Sequence, residues 1–129
     1  MEWHIRADLP IYSQLVAQIK LAIVSGTCLP GERLAPVREL AMDAGVNPNT
    51  MQRALQELER EGMVYTQRTS GRFVTEDTKV IESAKKLLAE SEIRSFLEQM
   101  TRLGYPKEEI VSLLKASIEE EKHNANMGM

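Results

Sequence analysis

The stretch Asn47-Pro48-Asn49-Thr50-Met51-Gln52-Arg53 gathers carboxamides, a hydroxyl and a guanidinium around one large apolar residue. Such groups donate and accept hydrogen bonds but supply no nucleophile or general base, so their chemistry is recognition. Amide, hydroxyl and guanidinium heads match base edges in the major groove of a duplex, and a helix N-terminus favours a phosphate. A solvated helix start is polar for its own reasons, and the pattern alone leaves both readings open. Charge adds to it. From Gly45 through Gln56 the only formal charge is Arg53, with Glu57, Glu59 and Glu61 following, while Thr66 to Val74 holds Arg68 and Arg72 and no acid. Two positively biased strips on an acidic chain suit a local footprint, such as one groove of a duplex.

Other chemistries find little to work with. His4 and His123 sit at opposite ends, no glycine-rich phosphate loop occurs, and Glu119, Glu120 and Glu121 read as a solvated helix face. Glu108 and Glu109 are explained as favourable charge at a helix start. Cys28 is the single cysteine, so it forms no intrachain disulfide, and no His/Cys cluster accompanies it at metal-ligand spacing. No enzyme activity, cofactor or metal is expected.

The elements that must position the polar run can be read in order. Asp8 and Pro10 signal a helix start, and Ile11, Leu15, Ile19 and Ile23 recur at helical spacing up to Ser25-Gly26. Thr27 to Gly31 reads as a turn. Val37, Leu40, Ala41 and Ala44 mark a short second helix that Pro36 opens and Gly45 closes. Asn47 and Pro48 are an N-cap and a first-position proline for a third helix, which buries Met51, Ala54, Leu55 and Leu58 and ends near Glu61. Gly45 permits a tight turn and Val46 plugs the angle between the two helices, which projects the start of the third outward. Met63 to Thr66 and Arg72 to Thr75 are β-prone and flank Gln67 to Gly71 as a hairpin. Helix, helix, turn, helix, hairpin is the order of a winged helix-turn-helix.

Beyond Glu76 the texture becomes charged, leucine-containing helix. Ile81, Ala84, Leu87, Leu88, Ile93, Phe96, Leu97, Met100 and Leu103 belong to a long fourth helix, Gly104-Tyr105-Pro106 interrupts it, and a fifth carries Ile110, Leu113, Leu114 and Ile118. Residues from His123 to Met129 are expected to fray. Two such helices in about 50 residues cannot bury their apolar faces alone, and packing on a second copy is expected, the alternative being to fold back on the first domain. The reading is therefore a mainly α chain with a small β-hairpin wing: a winged helix-turn-helix domain over 1–76 and a two-helix C-terminal dimerisation tail over 77–129.

Composition agrees. At 129 residues, 43% hydrophobic and 27% charged, the chain holds one modest core with a short appendage, not two large domains. The net charge of −3 argues against sequence-independent coating of nucleic acid. No apolar run nears the roughly 18 residues of a membrane span, and Met1-Glu2-Trp3-His4 does not open a signal peptide, so a cytoplasmic location without membrane attachment is expected.

Pro10-Ile11-Tyr12-Ser13-Gln14, Leu29-Pro30-Gly31-Glu32-Arg33-Leu34, Val37-Arg38-Glu39-Leu40-Ala41, Gly45 to Thr50, Leu58-Glu59-Arg60-Glu61-Gly62 and Gly71-Arg72-Phe73-Val74 together resemble the GntR-family winged-helix domain over about residues 8–75. The Asn-Pro-Asn-Thr turn and the short tail with Gly104-Tyr105-Pro106 are similar to the YtrA subfamily. That resemblance implies a homodimer joined by the C-terminal helices, no large effector domain, and repression of the chain's own operon, often one of transporter genes; the two-fold symmetry of such a dimer predicts an inverted-repeat DNA operator. Position by position it implies DNA contacts by Arg38 from the second helix, by Asn49, Thr50, Gln52 and Arg53 on the recognition helix, and by Arg68, Gly71 and Arg72 at the wing; Asn47, exposed at the start of the third helix, is a DNA-contact candidate from its own chemistry. Surface ion pairs with nearby glutamates are the alternative for Arg38 and Arg72.

Three departures bear on affinity and operator sequence. Leu34-Ala35-Pro36 lacks the hydroxyl of a Leu-Pro-Ser pattern, Pro48 and Gln52 stand where many relatives outside the subfamily carry Arg, and the wing reads Arg68-Thr69-Ser70-Gly71 in place of Arg-Gly-x-Gly. A winged-helix module that binds protein is the competing function, since fold does not fix function, and net acidity is its best support. Its counterweight is the acid-free helix start. A small-molecule effector would have to lie between tail helices or between tail and wing domain, with Tyr105 and Met100 as lining; none is assigned.

Overall fold

The computed structural model describes residues 1–127, and its elements follow the expected order. In α1 (Ile11–Val24), Leu15, Ile19, Ala22 and Ile23 form one buried stripe at helical spacing. Its start differs from expectation: Pro10 stands at the N-cap with no side-chain hydrogen bond, and Asp8 instead pairs with Arg6 at 2.7 Å. The short α2 (Val37–Ala44) closes on Gly45 at φ +71°, left-handed backbone that a side chain would strain. There the Val46 N–H donates to Ala41 O at 3.0 Å, completing the helix exit. The next helix, α3 (Pro48–Arg60), starts at once, with Asn47 Oδ1 accepting from the Asn49 N–H at 2.8 Å and Pro48 in the first turn.

Met51, Ala54, Leu55 and Leu58 face inward, fully buried, where α3 packs on α1 and α2. Each of the larger side chains contributes roughly 1.5–3 kcal/mol by leaving water. With both packing surfaces spent on the core, the outer face of the first turns of α3 is left for other work.

The wing is an antiparallel hairpin of β1 (Val64–Gln67) and β2 (Gly71–Val74), paired from Val64–Val74 to Gln67–Gly71, with the Tyr65 and Phe73 rings stacked 5.6 Å apart. Each strand is shifted one residue toward the turn relative to expectation. The Met63 N–H closes the exit of α3 on Leu58 O, and Gln67 and Gly71, which read as turn residues, pair across the ladder. The expected turn ends at Gly31, and the residues after it, for which no element was expected, form a third extended segment: Gly31 N–H donates to Val74 O, Val74 N–H to Glu32 O and Leu34 N–H to Arg72 O, each at 2.9 Å, and Arg33 bridges Phe73, so residues 31–34 cover the free edge of β2.

The N-terminal arm lies along α1. Gln18 accepts from the His4 N–H and donates to His4 O, and Gln14 does the same for Arg6. The two glutamines are one helical turn apart and the two arm residues are alternate positions of an extended chain, spacings that both come to about 6–7 Å. Trp3 and Ile5 thereby reach the core.

Two compact units divide the chain, one of Met1–Leu87 and one from Leu88 on. The division falls inside α4 (Thr78–Arg102), because Val80, Ile81 and Ala84 of its first turns pack on the core of the first unit. Asp77 begins that helix by accepting from the Lys79 N–H at 3.0 Å. In the second unit, Gly104 at φ +98° breaks the helical run before α5 (Lys107–Met127), which holds Glu108 and Glu109 in its first turn. Where a frayed end was expected from His123, α5 runs on to Met127 among the described residues, and Gly128 and Met129 lie outside them. Ile110 is buried, but Ile93, Leu103, Val111, Leu113, Leu114 and Ile118 are each at least 41% exposed.

Candidate nucleic-acid interface

Asn47, Asn49 and Arg53 are exposed at the start of α3, and Thr50 and Gln52 are half-buried. Asn47 spends its side-chain oxygen on the cap. Arg53 stacks its guanidinium 4.9 Å over the Tyr12 ring, joining α3 to α1, and the residue stays exposed. Arg38, second residue of α2, is exposed, and neither it nor Arg53 makes an ion pair among the described residues. The ion-pair alternative for Arg38 is therefore not the arrangement adopted.

For Arg72 it is. Its side chain is 16% exposed, its Nε lies 3.5 Å from Glu59 Oε1, and its Nη1 donates to Gln52 Oε1 at 3.3 Å. Glu59 also accepts from the Thr66 hydroxyl, so one carboxylate on α3 holds both strands of the wing. Nε itself makes no hydrogen bond, which makes the Glu59 contact a charge interaction at moderate range.

Arg68 is exposed in the hairpin turn. Gly71 has φ +111°, and a Cβ there would stand 3.2 Å from Arg33 Nε. Room at Gly71 thus serves Arg33 as well as any approaching ligand. Arg33, Arg68 and Arg72 line one cleft of about 310 Å³ between the wing and the segment Ala35-Pro36 that leads into α2, and no acidic side chain lines it. Arg72 has Glu59 as its counter-charge, but Arg33 and Arg68 make no ion pair among the described residues, and these two guanidinium groups bias the cleft toward positive potential.

Of the nine residues expected at this interface, Gln52 and Arg72 are brought into direct contact, Arg68, Gly71 and Arg72 share the cleft, and Asn47 meets Asn49 through the cap. Arg53 turns to Tyr12, and Arg38 makes no side-chain hydrogen bond to the others. Sequence reasoning missed Arg33, Tyr12 and Glu59 as participants. All three lie inside the segments that carried the resemblance, but their partners are 38, 41 and 13 residues away or at other elements, beyond any local pattern.

Cys28 offers no rival chemistry. It is buried, and burial followed by the nearby Glu32 carboxylate pushes its thiol up, away from the reactive thiolate. Among the described residues no group of three or more His, Cys, Asp or Glu side chains could hold a metal ion, and no helix is long and apolar enough to cross a membrane.

The family model described as "Bacterial regulatory proteins, gntR family" matches residues 11–74. The chain is 38% identical over 119 residues to the HTH-type transcriptional regulator YhcF of Bacillus subtilis, covering 92% of this chain and 98% of that protein. It is 39% identical over 98 residues to the HTH-type transcriptional repressor YtrA of the same organism, covering 76% and 71%. Among solved structures, a GntR family transcriptional regulator from Listeria monocytogenes superposes with a TM-score of 0.79 at 40% identity, over 86% of this chain and 97% of that one. The DNA-binding domain AraR(DBD), solved in complex with operator ORX1, superposes at 0.53 with 28% identity, over 58% and 96%.

Proposed function

The chain belongs to the GntR family of bacterial regulatory proteins, with YtrA-like relatives, and from that membership we propose that it is a homodimeric repressor that reads an inverted-repeat operator upstream of its own genes. It is a DNA-binding transcription regulator. The observation that carries the finer reading is the outer face of α3: exposed carboxamides and Arg53 with no acid among Gly45 to Gln56, set beside an arginine-lined wing. Side chains of these types from the first turns of a recognition helix read base edges, while Arg33, Arg38 and Arg68 suit the phosphates on either side.

Repression is supported by the named role of the Bacillus subtilis relative, and dimerisation by the exposed apolar side chains of the tail. Two-fold symmetry of the protein would be mirrored in the operator, with half-sites about one DNA turn or a small multiple apart. Its work is binding, done in the cytoplasm, with no catalytic step and no effector assigned.

The test is a titration into fluorescent duplexes covering the chain's own upstream region and an unrelated control, at two salt concentrations. Tight, salt-sensitive binding to the upstream duplex alone is expected, with a log–log slope of roughly −0.9 per neutralised phosphate. Absence of binding to either duplex would favour a protein-binding module.

A further inference from the structure

We propose that Arg72 is a positioning residue for base readout: it holds the Gln52 carboxamide with its oxygen turned inward and its N–H2 outward, so that residue 52 selects guanine over adenine. The inference rests on the DNA-binding reading above and adds a base preference to it.

Polarity fixes the amide. A guanidinium carries only donors, so the Gln52 atom facing Arg72 Nη1 at 3.3 Å has to be Oε1, because the flipped amide would set donor against donor. Arg72 is not free to swing away. It is 16% exposed, Glu59 lies against its Nε, Glu59 is held in turn by Thr66, and the Arg72 carbonyl accepts from the Leu34 N–H. Gln52 Nε2, by contrast, donates to nothing among the described residues.

A free glutamine pairs with adenine by donating to N7 and accepting from N6–H2. That pairing sets both heads of the amide side by side along the base edge, so the amide has to rotate from the orientation Arg72 holds until the second lone pair of Oε1 faces the base. Guanine asks for no such change: its N7 and O6 are both acceptors, and an outward N–H2 serves them as it stands. Cytosine presents a donor and is disfavoured. The two half-buried side chains thus convert a residue suited to adenine into one suited to guanine, through a contact from wing to recognition helix.

The test is selection from a library of duplexes with a randomised central segment, run with the wild-type chain, Gln52→Met and Arg72→Met, each checked for folding by circular dichroism. Gln52→Met flattens the preference at the position that residue 52 reads, which identifies it. At that position the wild type is expected to favour guanine over adenine roughly tenfold, and Arg72→Met to move the ratio toward adenine by a similar factor, with the other positions unchanged. Wild-type preference for adenine there, an unchanged ratio in Arg72→Met, or equal loss at every position would overturn the inference and leave DNA binding intact. Selection of no sequence by the wild type would overturn the DNA-binding reading, and this inference with it. If Arg72→Met fails to fold, Gln52→Glu decides: a carboxylate still accepts from Arg72 but cannot donate to guanine, so preference moves to cytosine, and retained guanine preference would overturn the inference.

Discussion

In the proposed reading, Arg53, stacked over Tyr12, would offer a base or phosphate a guanidinium already oriented, so that little conformational entropy would be lost on binding. Arg38 is exposed without an ion pair and loses no interaction on meeting DNA. Arg38→Ala and Arg53→Ala are each expected to weaken specific binding by roughly 1–3 kcal/mol in an anisotropy titration, with an unchanged circular dichroism spectrum. Arg33 acts differently. Lining the cleft with Arg68 and Arg72, it suits a phosphate, so Arg33→Gln should reduce the salt slope of binding by about 0.9 while leaving base preference alone. At this scale the sequence was partly legible. Polar side chains in an acid-free run announce themselves, whereas the partners that orient them, Tyr12 for Arg53 and Glu59 for Arg72, are set by packing between elements and leave no local trace.

The helices were legible, and so were the end of α2 and the start of α3, because each of these is signalled by chemistry confined to a few residues, whereas the cap of α1 and the end of α5 were not. Asn47 caps α3, Gly45 adopts the left-handed conformation that closes α2, and the buried stripe of α3 repeats at helical spacing. Since the Asn47 oxygen is engaged with the Asn49 N–H, Asn47→Ala should act on stability first, lowering the unfolding free energy by about 1 kcal/mol in urea titration with base preference retained. The segment from Gly31 to Leu34 escaped notice for the opposite reason. Its strand character comes from the partner edge of β2 and not from β-prone residues of its own, since Gly31 closes a turn and Glu32 and Arg33 are charged. The one-residue shift of the hairpin has the same origin, in a ladder that recruits Gln67 and Gly71.

Taken over the whole molecule, the proposed recognition and the proposed assembly draw on different parts of the chain. On α5, Val111, Leu114 and Ile118 fall at positions i, i+3 and i+7, one stripe, and each is at least 44% exposed. Burying such a stripe in a second copy stabilises by roughly 25 cal/mol for each Å² of apolar surface removed from water. Replacing Leu114 and Ile118 together by Glu should convert a dimer at micromolar concentration into a folded monomer in analytical ultracentrifugation, and weaken operator binding with it. A wild-type chain that sediments as a monomer would rule out the dimer. The most direct test of the central claim, that α3 and the wing form the face that holds operator DNA, is hydrogen exchange with and without the selected duplex. The first turn of α3 and the hairpin turn contain amides with few internal partners, so contact there is readable. Slowed exchange over residues 47–53 and 68–72, with none around Leu21 and Leu29, is the predicted result. Protection elsewhere with none at those two segments would contradict it.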